Sequence, residues 1–489
     1  MQLPLSPEPD KRFLAIGQSG WTFAEVNHSA SAACAAILRH APLEPGDRAG
    51  ILIANPAPFI LTLLALMRMR VLSVPLNTRL TAGELAWQIK NADCRLLICE
   101  PQTRALAGPL GVDVLELPNL DREAPTSQYS DFGMMRMDED FAIIHTSGTG
   151  GRPKAAILTY GNVCQSAIAS ARKLDVIQGE QWLCVLPLYH VGGLSIVFRS
   201  LIYGTAIEVL PPGRFDAGEV NRILSEHPVT LVSLVPTMLQ RLLDAKTRPW
   251  SPNLRLILLG GAAPSPALVA RCIADKLPIA TTYGLTEASS QVATARPDLV
   301  YRKPGTAGKP LMFTQVRIRD EKGDDAAAGV PGEILVKGDT VMRGYYGEPA
   351  ATAAALRDGW LHTGDIGYLD EDGDLFILQR REDLIVSGGE NIYPAEVEER
   401  LRRHPAVAEA VVIGLPDAAW GQSVAAALQL APGARASAEE IEAHARAHLA
   451  SYKIPRRFAF VDALPRTASG KIQRRKLRQL FNDTIPRRP

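Results

Sequence analysis

Phe141-Ala142-Ile143-Ile144-His145 runs without a break into Thr146-Ser147-Gly148-Thr149-Gly150-Gly151-Arg152-Pro153-Lys154. A short, mostly apolar run of strand length is followed by a loop of hydroxyls and glycines that ends on a lysine. The glycines let the backbone approach an anion closely, while the hydroxyls and the lysine supply donors and positive charge. That is the chemistry of a phosphate cradle. It is not a Walker A loop, because GxxxxGK[ST] is absent and a proline precedes the lysine. On composition alone, a flexible strand-to-helix turn is the plain alternative.

Working outward, short apolar runs alternate with longer amphipathic stretches from about residue 20 to 285. Strands are expected at 49–54, 95–99, 141–145, 182–186, 230–235 and 254–259, and helices at 22–39, 57–69, 161–172, 216–226 and 265–274. This alternation predicts an α/β fold with a largely parallel sheet and helices on its faces. Around 315–378 the texture changes to alternating strands with tight turns at Glu321-Lys322-Gly323-Asp324 and Glu371-Asp372-Gly373-Asp374, which are hairpin signals. From about 384 a smaller α+β unit is expected, with helices at 394–403 and 437–449 and strands at 409–415 and 424–430.

The 489 residues are too many for one ordinary core. Fifty-three Lys+Arg against 52 Asp+Glu leave a net charge of +1, which argues against a globally basic nucleic-acid binder. A hydrophobic share of 46% with 21% charged residues is too apolar for a disordered chain. The run 59–67 ends at Arg68, far short of the roughly 20 residues that span a bilayer, so no membrane span is expected. Residues 1–12 show no signal-peptide pattern, and the six cysteines form no CxxC pair. Both point to a reducing, cytoplasmic setting. The stretch 466–489 carries eight Lys/Arg against one acid and reads as a solvated basic end, Lys471 excepted.

Further motifs narrow the chemistry. Thr282-Tyr283-Gly284-Leu285-Thr286-Glu287 joins an aromatic, a hydroxyl and a carboxylate at a strand end, where open α/β sheets bind ligands. Trp360-Leu361-His362-Thr363-Gly364-Asp365 places a carboxylate behind a glycine, suited to the two hydroxyls of a ribose. Arg380-Arg381-Glu382-Asp383 leads into Ser387-Gly388-Gly389-Glu390-Asn391-Ile392-Tyr393-Pro394, and Pro465-Arg466-Thr467-Ala468-Ser469-Gly470-Lys471 puts one lysine on a loop.

In this order the motifs resemble the adenylate-forming superfamily of acyl-CoA synthetases, peptide-synthetase adenylation domains and luciferases, over about 20 to 478. The resemblance implies a large multi-subdomain N-terminal adenylation domain, 1–381, with mixed sheets and a β-rich part. It also implies a small mobile α+β cap, 382–489, that turns about Glu382. ATP, Mg²⁺ and coenzyme A are the implied cofactors and co-substrate. Thr146, Ser147, Gly148, Thr149 and Lys154 would enclose the phosphates, and Gly261 would line the nucleotide site. Tyr283 would stack on adenine, and Asp365 and Arg380 would hold the ribose. Thr286 would meet the α-phosphate, Glu287 would orient Mg²⁺, and Lys471 would bridge the substrate carboxylate and α-phosphate. Gly388 and Gly389 would line a channel for the CoA thiol. Two residues depart from the family pattern: Gly150 stands where a second threonine is usual, and Glu382 where the hinge usually has Asp or Lys.

Within the superfamily the local text is most similar to the 2-succinylbenzoate–CoA ligases of menaquinone biosynthesis. The matching stretches are LPLYHVGGLSIVFRSLIYG (186–204), TLVSLVPTMLQRLL (230–243), RLILLGGAAPSP (255–266), TTYGLTEASSQVAT (281–294) and KPGTAGKPL (303–311). The implied partner is a small aromatic dicarboxylic acid. Arg199, read from the residues alone, is either snorkelling to the surface or paired with an anion; the resemblance implies pairing with the second carboxylate. Ser233, Ser289 and Thr306 are candidate polar partners, and His190 reads as a packing or gate residue. A general aryl- or medium-chain acyl-CoA synthetase is the alternative. Oligomeric state is left open, a homo-oligomer included.

Overall fold

The computed structural model describes residues 8–481 apart from 17–18, 118–135, 147–152, 212, 214, 321, 380–383 and 466–473. The chain divides into two compact units: Met1–Thr78, Ala86–Ile144 and Ala155–Arg381 form the first, and Arg79–Leu85, His145–Lys154 and Glu382–Pro489 the second.

The first unit holds a 14-stranded sheet whose middle is parallel. Strands Ala206–Val209, Gln181–Cys184, Leu231–Leu234, Leu256–Leu259 and Ile279–Leu285 lie side by side in parallel register. Leu231–Leu234 and Leu256–Leu259 are buried along their whole length, as a sheet covered on both faces requires. Apart from Ser233, the sequence supplies Leu, Ile and Val there instead of an alternating pattern. Helices return between the strands and start where side chains cap them. The Ser265 hydroxyl accepts from the Leu268 amide at 3.2 Å with Pro266 in the first turn, and Thr159 and Asn162 cap each other's amides at 3.1 and 2.9 Å.

After Ile279–Leu285 the sheet turns antiparallel through Ser290–Ala295 and Thr306–Pro310 into the hairpin-rich strands Thr314–Arg319, Gly332–Gly338, Trp360–Leu369 and Leu375–Gln379. The parallel part thus falls where strands and helices alternate in the sequence and the antiparallel part where hairpin signals begin, giving the expected mixed sheet. A seven-stranded sheet joins Gly344–Tyr345 to Lys154–Thr159, then Asp140–Thr146, Leu72–Pro75, Arg48–Leu52, Leu96–Cys99 and Asp113–Glu116.

In the second unit, Val407–Asp417 pairs with Gly421–Leu430 in one long antiparallel ribbon, backed by helices Pro394–Arg402 and Ala438–Arg446. Ile392, Val397, Leu401, Val412, Ala426 and Ile441 are among its core residues. Among the described residues, no helix is long and apolar enough to cross a membrane, and all six cysteines are free thiols.

Candidate active site

One antiparallel hairpin of the first unit carries several of the candidate residues. Its rising strand, Ile279–Leu285, delivers Tyr283; a single 3₁₀ turn, Thr286–Ala288, delivers Thr286 and Glu287; its return strand, Ser290–Ala295, delivers Gln291. The turn is strained: Ser289 and Ser290 both have positive φ, 54° and 96°. Backbone held in sparsely populated regions persists only where the surroundings over-determine it, and such positions cluster at functional sites.

Tyr283 and Asp365, expected to take the adenine and the ribose, are bonded directly: the tyrosine hydroxyl donates to Asp365 Oδ2 at 2.7 Å. Asp365 is fixed from below. Its amide donates to the Thr363 hydroxyl at 3.1 Å, that hydroxyl donates to the Ile334 carbonyl at 2.7 Å, and the Gly364 amide donates to Glu333 at 3.1 Å. Glu287 lies nearly buried with 9% exposure, and its Oε1 accepts from the Tyr345 hydroxyl at 2.9 Å. No hydrogen bond from a described residue reaches Oε2. One hard carboxylate oxygen, sharing an ion with phosphate oxygens and water, is the donor set that Mg²⁺ takes in nucleotide enzymes, so the residue fits that ion. Gly261 has φ 78° just past strand Leu256–Leu259.

The same hairpin reaches toward the expected acid pocket. Arg199, on helix Val191–Tyr203, is 1% exposed. Its Nη2 donates to Gln291 Oε1 at 2.9 Å and its guanidinium lies 5.0 Å from the Trp182 ring centroid. Its Nε is buried without a hydrogen-bond partner, and among the described residues no carboxylate pairs with it. Burial pulls its pKa down to about 9, which still leaves it charged at neutral pH. Snorkelling is excluded by that burial. Trp182 is itself anchored, its Nε1 donating to the Ser233 hydroxyl at 3.0 Å, so Ser233 stands one residue behind the guanidinium. The buried Ser289 hydroxyl also has no partner. Thr306, in contrast, is committed to backbone: its hydroxyl donates to the Leu375 carbonyl at 3.1 Å and accepts from the Gly308 amide at 2.9 Å. His190 precedes the helix, its ring 4.7 Å from that of Tyr189. Gly193 is required there, since a Cβ would lie 2.3 Å from the Pro187 carbonyl oxygen.

In the second unit, the Thr146 hydroxyl donates to the Lys154 carbonyl at 3.3 Å, joining the two flanks of the glycine loop. Ser147, Gly148, Thr149 and Gly150 lie outside the described residues, as do Arg380, Glu382 and Lys471. Gly388 and Gly389 have φ 59° and 86°, the Gly388 amide donates to the Trp420 carbonyl at 2.8 Å, and a Cβ at 388 would meet the Trp420 indole at 2.6 Å. Trp182, Gln291 and Tyr345 were not singled out from sequence. Each is recognised only by what it touches.

Comparison with known proteins gives this arrangement a lineage. The AMP-binding enzyme family model matches residues 5–346, and the model of the AMP-binding enzyme C-terminal domain matches 396–471. A curated Bacillus cereus protein named 2-succinylbenzoate–CoA ligase is 42% identical over 97% of this chain and 96% of its own. A double mutant of the o-succinylbenzoate CoA synthetase of Bacillus subtilis, bound with its product analogue OSB-NCoA, superposes with TM-score 0.91 at 37% identity over 96% of each chain. The same synthetase in complex with the acyl-adenylate intermediate OSB-AMP gives 0.73 at 38% over 96% of each chain, and with ATP and magnesium ion 0.72 at 37% over 96% and 97%. A full-length match of this depth, on a chain whose hairpin carries Glu287 and bonds Asp365 through Tyr283, places the protein in the AMP-binding enzyme family.

Proposed function

We infer that this chain is an AMP-forming acid–thiol ligase that joins 2-succinylbenzoate to CoA through an acyl-adenylate, as a step of menaquinone biosynthesis. Its relatives' names and the acyl-adenylate held by a solved relative support the reaction. The observation that carries the choice of acid is Arg199: a fully buried guanidinium with a neutral partner and, among the described residues, no carboxylate. An uncompensated buried charge is costly, and a ligand carboxylate offsets that cost by making charge-assisted bonds. A monocarboxylic acid activated at its single carboxyl has nothing to offer there; a dicarboxylic acid does.

The chemistry is the in-line attack of one anion on another. A carboxylate oxygen of the succinyl chain attacks the α-phosphorus of ATP, the bond to the bridging oxygen breaks, and pyrophosphate leaves with the electron pair. The CoA thiolate then attacks the acyl carbonyl, the C–S bond forms, the C–O bond to phosphate breaks, and AMP leaves. Such a reaction needs positioning and neutralisation of charge more than covalent help. Magnesium supplies part of that neutralisation when bound, and Glu287 would hold it. Tyr283 and Asp365 would fix the nucleoside, Thr286 the α-phosphate, and Lys154 and Lys471 the developing negative charge. In this reading the part from 382 onward turns about Glu382, so that Lys471 serves adenylation and the Ser387–Glu390 hairpin serves the thiol. Free thiols throughout suit a cytoplasmic enzyme.

The test is pyrophosphate release across a panel of acids, with thioester formation followed in parallel. 2-Succinylbenzoate should exceed benzoate and octanoate, and Arg199→Ala should cost the dicarboxylate about 100-fold in kcat/KM through loss of a buried charged bond, with little loss for benzoate. Equal losses for both acids would point to a general aryl- or medium-chain acyl-CoA synthetase.

A further inference from the structure

The partner of Glu287 deserves a role of its own. Tyr345 is buried on the two-residue strand Gly344–Tyr345, which adds to the edge of Lys154–Thr159 with Gly344 opposite Ile157 and Tyr345 opposite Ala156. The backbone on both sides is tied down. Arg343 donates to the Ile157 carbonyl at 3.0 Å, Tyr346 to the Ala155 carbonyl at 2.8 Å, and the Tyr345 amide to the Thr352 hydroxyl at 2.9 Å. From the other side, Asn162 Nδ2 donates to the carbonyls of Asp339 and Val341 at 2.7 and 2.9 Å. The Met342 amide closes the link by donating to the Glu287 carbonyl at 2.8 Å. Backbone and side chain of Glu287 are thus both held by residues 342–345.

We propose that Tyr345 is a positioning residue for the metal-binding carboxylate: by donating to Oε1 it locks Glu287 in one rotamer and leaves Oε2 to meet the divalent cation carried by ATP. A glutamate has three side-chain torsions, and an unrestrained one spends most of its time turned away from any given point. Pinning one oxygen with a hydroxyl from a rigid strand removes that freedom before the nucleotide arrives, which is how outer partners of metal ligands raise affinity. The plain alternative is a core tyrosine whose hydroxyl merely needs an acceptor. It makes a different prediction, because a merely structural hydroxyl affects stability and leaves the metal indifferent.

This inference rests on the assignment of Glu287 above, and the experiment separates the two. Mn²⁺, a spectroscopic substitute for Mg²⁺, is titrated by electron paramagnetic resonance into the full-length protein with ATP and no acid, for the native chain, Tyr345→Phe, Glu287→Ala and the double variant. Tyr345→Phe keeps the ring and removes one oxygen, so the strand stays packed. The expected result is about tenfold weaker Mn²⁺ binding in Tyr345→Phe, a larger loss in Glu287→Ala, and no further loss when the tyrosine is changed in the Glu287→Ala background. A melting temperature that falls in Tyr345→Phe while Mn²⁺ binding is unchanged would overturn the proposal. Mn²⁺ binding unaffected by Glu287→Ala would instead overturn the assignment of Glu287.

Discussion

Arg199 and Lys453 are both buried cations, and their surroundings differ in the counter-ions they hold. Arg199 in the first unit touches a neutral amide and an indole face. Lys453 in the second unit is 4% exposed and sits between two carboxylates, donating to Glu84 Oε1 and Glu396 Oε1 at 2.7 Å each. Burial alone would lower the Lys453 pKa, but Glu396 and Glu84 outweigh it and the net direction is upward. Glu396 also moves upward, because burial acts on it first and Lys453 offsets only part. The two directions agree: one cation shared by two anions is over-compensated, and Glu396 is under-compensated. Lys453 finds its counter-ions within its own unit, whereas among the described residues Arg199 has none, and the proposal that it binds a second carboxylate rests on that contrast.

The largest effect should come from breaking the satisfied cluster. Lys453→Met removes the cation and leaves Glu84 and Glu396 buried side by side. Removing one partner of a buried pair typically costs about 3–5 kcal/mol. Hydrogen exchange in the ribbon Val407–Asp417 and Gly421–Leu430 should accelerate accordingly; unchanged protection there would mean the cluster contributes nothing to the second unit.

Arg199→Met should behave in the opposite way. Replacing a buried charge by an apolar side chain of similar length is often neutral or stabilising, so the ligand-free variant should melt no lower than the native chain while losing its preference for the dicarboxylic acid. A pH profile sharpens the contrast. Burial lowers the folded-state pKa of Arg199 to about 9, so the charged form that would bind a second carboxylate is full below that value and is lost above it. The ratio of kcat/KM for 2-succinylbenzoate over benzoate should therefore be flat at neutral pH and fall above about pH 9. In Arg199→Met the ratio should be flat throughout.

Much of this was legible in the sequence, for identifiable reasons. The parallel strands Leu231–Leu234 and Leu256–Leu259 are short runs that are apolar but for Ser233, and the helices following them open on Pro236 and on Ser265-Pro266. The ribbon and helices of the second unit fell within two or three residues of their expected ends. Strands Leu72–Pro75 and Ala206–Val209 escaped notice, being too short to separate from their neighbours by periodicity. So did Gly344–Tyr345, which exists only because Lys154–Thr159 offers it an edge. At the site, Tyr283, Glu287 and Asp365 were visible because they sit in dense motifs. Gln291 and Tyr345 were not, since an ordinary glutamine and tyrosine acquire a role only from the side chain each one meets, 92 and 58 residues away.

The smallest effect tests whether the rule extends to the surface. Lys303 Nζ lies 2.6, 2.5 and 2.8 Å from Asp370, Asp372 and Asp374. By composition this acidic turn looks like a cation site, and its cation is already supplied by the chain. The turn also serves itself, since Asp370 Oδ1 accepts from the amides of Asp372 and Asp374 at 3.0 and 2.8 Å. Asp372 is exposed, so screening keeps its share of the interaction weak. Lys303→Gln should lower the melting temperature by about 1–2 °C at low salt, and by less in 0.5 M NaCl, where the Debye length is only several ångströms. The sign with pH is fixed by Asp370. Burial acts to raise its pKa, but the Lys303 ammonium and turn amides more than offset this, and the net shift is downward. Its contribution is therefore present above the unfolded value of about 4 and fades as pH falls through the lower folded value. The difference between Lys303→Gln and the native chain should close on the acid side. A difference that grew with acid, or that ignored salt, would mean that Lys303 stabilises the turn through the packing of its stem, and that counter-ion logic governs only the buried charges of this protein.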